Sequence, residues 1–201
     1  ECRKRGLGLT VSHIISCKSI SALALQVKDI NKPSFHEEIL EKPFELSPIQ
    51  KLYFSRPNHD QGHYNQSFLL RTSQHISAPD MLRAIEAVIR KHSMLRARFS
   101  QDSHGQWQQR VTDEVLSSYR LRTLELASSE EVDHSLADSQ TCLNVIDGPL
   151  VAADLIDKSG EEQLLFLVAH HLVIDLVSWR IILQELEELL LRPEAVHDVD
   201  H

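Results

Sequence analysis

Residues 163–186 read QLLFLVAHHLVIDLVSWRIILQEL. The first nine, Gln163 to His171, form an apolar run that ends in two histidines. A short run of this kind reads as a strand buried on both faces. From Ser178 the apolar side chains recur at Trp179, Ile182, Leu186 and Leu189. That spacing predicts a helix with one buried face, stopped near Pro193. A strand ending near Ala169 and a helix starting near Ser178 leave His170, His171 and Asp175 on the connecting loop. Loops held by rigid elements are where functional groups are commonly displayed.

Working outward, strands and helices alternate from Phe44 onward. YNQSFLLR (64–71) reads as a strand. Ser77 and Asp80 form a capping box, with Pro79 in the first turn, and open a helix with the stripe Met81, Leu82, Ile85, Val88 and Ile89. MLRARF (94–99) alternates as a strand should, DSHG (102–105) turns, and QWQQRV (106–111) returns as the hairpin partner. YRLRTLEL (119–126) is a further strand, and Ser128 with Glu131 opens a helix to about Leu143. DGPL (147–150) leads into the strand LVAADLID, and DKSG turns into the run quoted above. Hairpins mixed with helices predict an α/β fold, an open mixed sheet covered by helices.

The N-terminal part differs. Short helices are expected over Val11 to Ile15 and Ser19 to Val27, the second capped by Ser19. Two such helices cannot bury a core alone. Residues 30–43 carry two prolines and mixed charge, which reads as a linker. Residues 194–201 form a tail. The start at Glu1 suggests a chain cut from something longer.

Composition narrows the function classes. Of 201 residues, 42% are hydrophobic and 25% charged, which fits a globular protein. No apolar run approaches the roughly 20 residues of a membrane helix. The N-terminus, ECRKRGLGLT, has four charged residues and no apolar core, so it is no signal peptide. A net charge of -8 disfavours an extended nucleic-acid face. Basic residues cluster at Arg3, Lys4 and Arg5, read as a solvated face, and at Arg90, Lys91, Arg96 and Arg98. Cys2, Cys17 and Cys142 show no CxxC spacing, which supports neither a disulfide framework nor a zinc site. A reducing cytoplasm is the expected location.

Histidine suits general base work near neutral pH. Consecutive residues leaving a strand point opposite ways, so one histidine can face a cleft and the other the interior. Metal binding lacks a convergent third ligand for His170, His171 and Asp175. From spacing alone, two histidines satisfied by backbone groups near a sheet edge is the favoured reading.

HHLVIDLVSWRIILQEL closely resembles the HHxxxDG motif of the condensation and epimerization domains of nonribosomal peptide synthetases. FELSPIQKLYF resembles that family's opening motif, and YNQSFLLR its following strand. RKHSMLRARF resembles its Arg/Lys-His-x-x-Leu-Arg motif, and LNVIDGPLVAADLI the segment before the active-site strand. The Asn-Gln pair and VSWRIIL look more like epimerization than condensation. The ordered set spans Phe44 to Pro193.

The resemblance implies the N-terminal lobe of a chloramphenicol acetyltransferase-like fold over 44–193. CRKRGLGLTVSHIISCKSISALAL resembles the last two helices of a carrier domain, which would occupy residues 1–29. The family's Gly-Gly-x-Ser phosphopantetheine motif is absent, so Ser12, Ser16, Ser19 and Ser21 take no such role. By resemblance His171 is the catalytic histidine. It would move the α-proton of an aminoacyl or peptidyl thioester presented on a carrier-linked 4′-phosphopantetheine arm. No metal and no directly bound cofactor are implied.

His170 would orient the loop, and Asp175 would pair with Arg96 through a charge-assisted hydrogen bond. Leu176 stands where the family has glycine. It would be strained if its φ were positive, or would crowd the substrate tunnel if not. The alternatives are half of a condensation domain, forming peptide bonds, and a non-catalytic lobe that only docks a carrier domain. The family's domain has two lobes with the site at their junction, so the isolated chain is expected to be inactive or nearly so.

Overall fold

A computed structural model of the chain describes residues 7–8, 11–17, 19–25, 28–29, 39–56, 64–158 and 162–191. The expected tail, residues 30–38 of the expected linker and the N-terminal basic cluster lie outside them. The chain divides into two compact units, Glu1–Glu38 and Ile39–His201.

The first unit holds strand β1 (Leu7–Gly8), helices α1 (Val11–Ser16) and α2 (Ile20–Ala24), and strand β2 (Lys28–Asp29). β1 and β2 pair antiparallel, Leu7 opposite Asp29. The Ser19 hydroxyl accepts from the Ala22 N–H at 3.2 Å, the cap expected for α2. The helix spans Ile20–Ala24, its C-cap Leu25 donates to the Ser21 carbonyl, and residues 26–27 of the expected helix lie outside the described residues.

In the second unit, α3 (Pro48–Phe54), α4 (Ala78–Lys91), α5 (Ser129–Thr141) and α6 (Leu176–Leu191) cover two sheets. The larger sheet has the order β4-β9-β8-β7, formed by Asn65–Arg71, Glu162–His170, Val151–Lys158 and Tyr119–Leu126. It is mixed, as expected: β7 runs parallel to β8, and β9 runs antiparallel to both its neighbours. The hairpin β5 (Ala97–Gln101) and β6 (Trp107–Val111) does not join it. With β3 (Phe44–Glu45) it forms a separate antiparallel sheet, β3-β6-β5. Ala97 and Phe99 bury instead in a second apolar cluster with Leu46, Phe54, Leu150 and Leu172.

β9 is covered on both faces, which is why its sequence is a continuous apolar run. Leu165, Leu167 and Ala169 pack under α4 and α6, while Phe166 and Val168 face Leu136 and Leu143 on the α5 side. On α4 the buried stripe is Met81, Ala84, Ile85, Val88 and Ile89. Leu82 is 41% exposed, because one step of about 100° takes it off that face. Ser77 caps α4 through the Asp80 N–H, but the box is not closed. The Asp80 carboxylate accepts from the Ser77 hydroxyl and from Arg83 rather than from the Ser77 backbone.

The strand expected over 94–99 starts only at Ala97, since Ser93–Arg96 is a 3₁₀ turn. Arg96 explains the turn: its buried guanidinium folds back to donate to the Ile89 and Arg90 carbonyls, at 2.7 and 2.6 Å. These belong to the last turn of α4, where carbonyls lack intrahelical partners. Its Nε–H donates to the Thr112 carbonyl. Arg98 is buried too, on Ser117 and Ser118, so of this basic cluster only Arg90 and Lys91 are exposed. Residues 39–43, expected as linker, belong to the second unit, where Glu41 accepts from Arg110.

Candidate active site

β9 delivers the two histidines to opposite sides, as strand alternation demands. His170 has the parity of Phe166 and Val168, and His171 that of Leu167 and Ala169. The two rings are held in opposite tautomers. His170 is buried, and its Nδ1 accepts from the Leu172 N–H at 3.3 Å, which leaves the hydrogen on Nε2. The Tyr53 ring meets it edge-on at 5.7 Å. Burial, and then the neighbouring His171, push its imidazole down to about 4, so it is neutral at pH 7.

His171 is only partly buried. Its backbone N–H donates to the Tyr64 carbonyl at 2.7 Å, and its Nδ1 lies 2.6 Å from the Ile174 carbonyl. A carbonyl can only accept, so Nδ1 carries the hydrogen, and in the neutral ring Nε2 keeps the lone pair. The Tyr64 ring lies against the imidazole at 4.9 Å. Nε2 is 3.3 Å from the amide nitrogen of Gln66. In the neutral form the accepting atom is turned away from the ring's backbone anchor, the disposition that proton abstraction requires.

The loop is held from several sides. The buried Gln50 amide donates to the Leu172 carbonyl at 3.0 Å, and its oxygen accepts from Ser47 and Gln109. Gln50 belongs to the SPIQ stretch, and its tie to the histidine loop spans 122 residues, a distance that periodicity does not reveal. Gln66 reaches the site because β4 pairs with β9 in the register Asn65↔His170 and Gln66↔Ala169. Asn65 points the other way, to the carbonyl of Gln140 at 2.8 Å. The sequence singles out Asn65 and Gln66 as a pair, but the contact of Gln66 with His171 depends on that register.

Asp175 is not where the resemblance implies. Among the described residues it forms neither a hydrogen bond nor an ion pair with Arg96, whose guanidinium is turned to the carbonyls named above. Its carboxylate caps α6 instead. Oδ1 accepts from the N–H and the hydroxyl of Ser178, both at 2.7 Å, and the Asp175 carbonyl accepts from the Trp179 N–H. The backbone bond from Ser178 is the main reason its carboxyl titrates below the usual range. With this cap the helix starts at Leu176, two residues before Ser178. Leu176 is therefore a first-turn helical residue. Among the described non-glycine residues only Glu41 has a positive φ, so the strain foreseen for positive φ does not arise. Leu176 and Val177 are 64% and 67% exposed and form an apolar rim at the start of α6.

Among the described residues, no three of His, Cys, Asp and Glu converge as metal ligands, and no helix is long and apolar enough to cross a membrane.

The mixed sheet, the anchored histidine at the end of β9 and the capped α6 fit the chloramphenicol acetyltransferase-like α/β fold that the resemblance implies, which the solved structures below share. Residues 41–194 match the Condensation domain family, and the chain belongs to it. Over 200 residues, all of the chain, it is 72% identical to nonribosomal peptide synthetase 4 of Gibberella zeae. It is 47% identical over 198 residues, 97% of the chain, to nonribosomal peptide synthetase 1 of Aspergillus fumigatus. The chain spans about 3% of the length of each of these relatives.

Of solved structures, the epimerization domain from the third module of tyrocidine synthetase B superposes with a TM-score of 0.68 at 27% identity. That match covers 80% of this chain and 36% of the other. The starter condensation domain of rhizomide synthetase superposes with a TM-score of 0.66 at 19% identity, a likeness of fold, over 76% and 38% of the two chains.

Proposed function

We propose that this chain carries the histidine-bearing lobe of an epimerization domain and that His171 is its catalytic residue. The observation that carries the reading is the tautomer of His171: the Ile174 carbonyl holds the hydrogen on Nδ1 and leaves Nε2 able to take a proton. The substrate is an aminoacyl or peptidyl thioester tethered to a carrier domain through its 4′-phosphopantetheine arm. The thioester acidifies the α-carbon. Nε2 takes the α-proton, the electron pair passes into the thioester as an enolate, and return of a proton to the other face inverts the centre. A second acid–base group on that opposite face is required.

Epimerization is favoured over condensation by the 27% identity to an epimerization domain and by the Asn65-Gln66 pair. The condensation reading draws on the family match itself. There His171 would assist amine attack on an upstream thioester. His170 acts by orienting the loop and Asp175 by starting α6, while Arg96 closes the end of α4. Residues 1–29 are assigned to the end of a carrier domain and 44–193 to the lobe.

The test replaces the matching segment of the Gibberella zeae relative with this chain and loads the carrier with an aminoacyl group. Loss of α-tritium to solvent without amide formation is expected. His171→Ala should slow it by roughly 10²- to 10⁴-fold, the usual contribution of a positioned base. New amide product would favour condensation, and an unchanged exchange rate in His171→Ala would remove His171 from the chemistry. The 201-residue chain alone is expected to show little or no exchange, since the lobe covers 36% of the superposed epimerization-domain chain.

A further inference from the structure

Among the described residues, Gln66 is the one side chain that hydrogen-bonds the accepting atom of His171. Its amide nitrogen is 3.3 Å from Nε2. Nε2 carries a lone pair in the neutral ring, so it is the N–H of Gln66 that donates. The other end of the same amide is different: the Gln66 Oε1 is buried and has no hydrogen-bond partner among the described residues.

Other buried glutamines of the second unit are tied at both ends. Gln163 donates to Ile76 and Asp157 and accepts from Ile76 and Thr72. Gln109 donates to Glu45 and Gln50 and accepts from Gln50. Turning either amide would break several bonds. Turning Gln66 breaks only the bond to His171, and it brings an unused acceptor to the same place. A histidine that takes a proton on Nε2 becomes a donor there and needs an acceptor.

We infer that Gln66 is a positioning residue whose amide turns with the proton on His171. With the ring neutral, the Gln66 N–H donates to Nε2 and holds the imidazole in plane. When the α-hydrogen approaches, that bond is given up to the incoming carbon. Once Nε2 carries the proton, the amide turns over and the Gln66 oxygen accepts from Nε2–H until the proton is passed on. Gln66 gains and loses no atom. The proton moves only between the α-carbon and Nε2, and the electron pair stays in the thioester enolate. The role in turnover rests on His171 being the base, whereas the pairing itself does not.

The test is ¹⁵N-resolved NMR of the 201-residue chain through a pH titration, with His171→Ala used to assign the ring. At neutral pH the ring should give the Nδ1–H tautomer pattern. The Gln66 side-chain amide protons should shift at the same midpoint as the His171 ring. In Gln66→Glu, which can accept but not donate, the midpoint of the His171 titration should move up by about one unit, as for a carboxylate placed beside it.

An Nε2–H tautomer, or Gln66 amide protons that stay still while His171 titrates, would overturn the inference, and both are read on the unmutated chain. In the exchanged synthetase, the acid limb of the α-tritium release profile should move up by the same amount in Gln66→Glu. Release that ignores His171→Ala while the Gln66 protons still follow the ring in the unmutated chain would remove His171 as the base and leave the pairing standing. Release that needs His171 with silent Gln66 protons does the reverse.

Discussion

His170 and His171 are adjacent, yet the fold gives them opposite tasks, and the difference can be measured. In the unfolded chain His170 titrates near 6.5, whereas in the folded chain burial holds it neutral down to about 4. Between those values the unfolded state binds the extra proton, so the stability from His170 is complete above about pH 6.5 and is lost as pH falls toward 4. Urea unfolding at pH 7 and pH 5 should differ by about 2 kcal/mol on this account. His170→Gln should flatten the difference, because a neutral amide has nothing to titrate. An unaltered slope in His170→Gln would place the acid sensitivity elsewhere.

Asp175 gives a second residue-scale test. If it caps α6, Asp175→Asn should unfold at nearly the same urea concentration as the parent, because asparagine caps as well as aspartate. Asp175→Ala should be clearly less stable. A charge pair with Arg96 would instead make the asparagine and alanine variants equally damaging.

At the scale of elements, the approach to β8 is tighter than its turn residues suggest. Gly148 has φ +83°, and a Cβ there would stand 2.5 Å from the Ser117 carbonyl and 2.6 Å from Arg98 Nη2. Gly105, in the β5–β6 turn, has φ +75° but nothing within 4 Å of such a Cβ. Gly105→Ala should therefore cost only the left-handed backbone penalty, roughly 1–2 kcal/mol. Gly148→Ala adds a collision with backbone and a buried guanidinium, and should cost about 2 kcal/mol more. The two urea midpoints decide it; equal losses would mean that Ser117 and Arg98 yield easily.

The contrast also marks what could be read without coordinates. Residues 102–105 and 147–150 both read as turns from composition, and both strands and helices around them are found. Nothing local to Gly148 says that Arg98, fifty residues earlier, lies behind it. The same limit applies to Arg96. Its motif points to a pairing with Asp175, but its guanidinium donates to the carbonyls closing α4. Helix ends take whichever donor is nearest in space, and that is a tertiary fact. The β9 strand, α6 and the histidine loop were legible because buried runs and helical stripes are local signals. The positions of Gln50 and Gln66 beside that loop were not, because sheet register and packing place them.

For the whole molecule, the four-stranded sheet is a frame that carries the histidine loop at the end of β9. On one face of it α4 and α6 are tied together by Glu185, which accepts from Lys91 at 2.7 Å and meets His92 at 2.6 Å. Burial raises the Glu185 carboxyl, but the bonds from Lys91 and His92 outweigh it and hold it below its ordinary range. Its share of stability is thus present above the usual carboxylate range and lost as pH falls through the depressed value. Glu185→Gln should remove that acid limb from the unfolding profile while α6 still forms. Disappearance of the far-ultraviolet helical signal at neutral pH would show the tie to be essential rather than contributory.

The seven-pair ladder from Asn65↔His170 to Arg71↔Leu164 restricts how such a domain can change length. Inserting or deleting a single residue inside β4 would send Gln66 to the α5 side and bring a neighbour round to face the imidazole. Relatives that keep a working site should therefore accommodate gaps in the turns and leave this strand's residue count untouched.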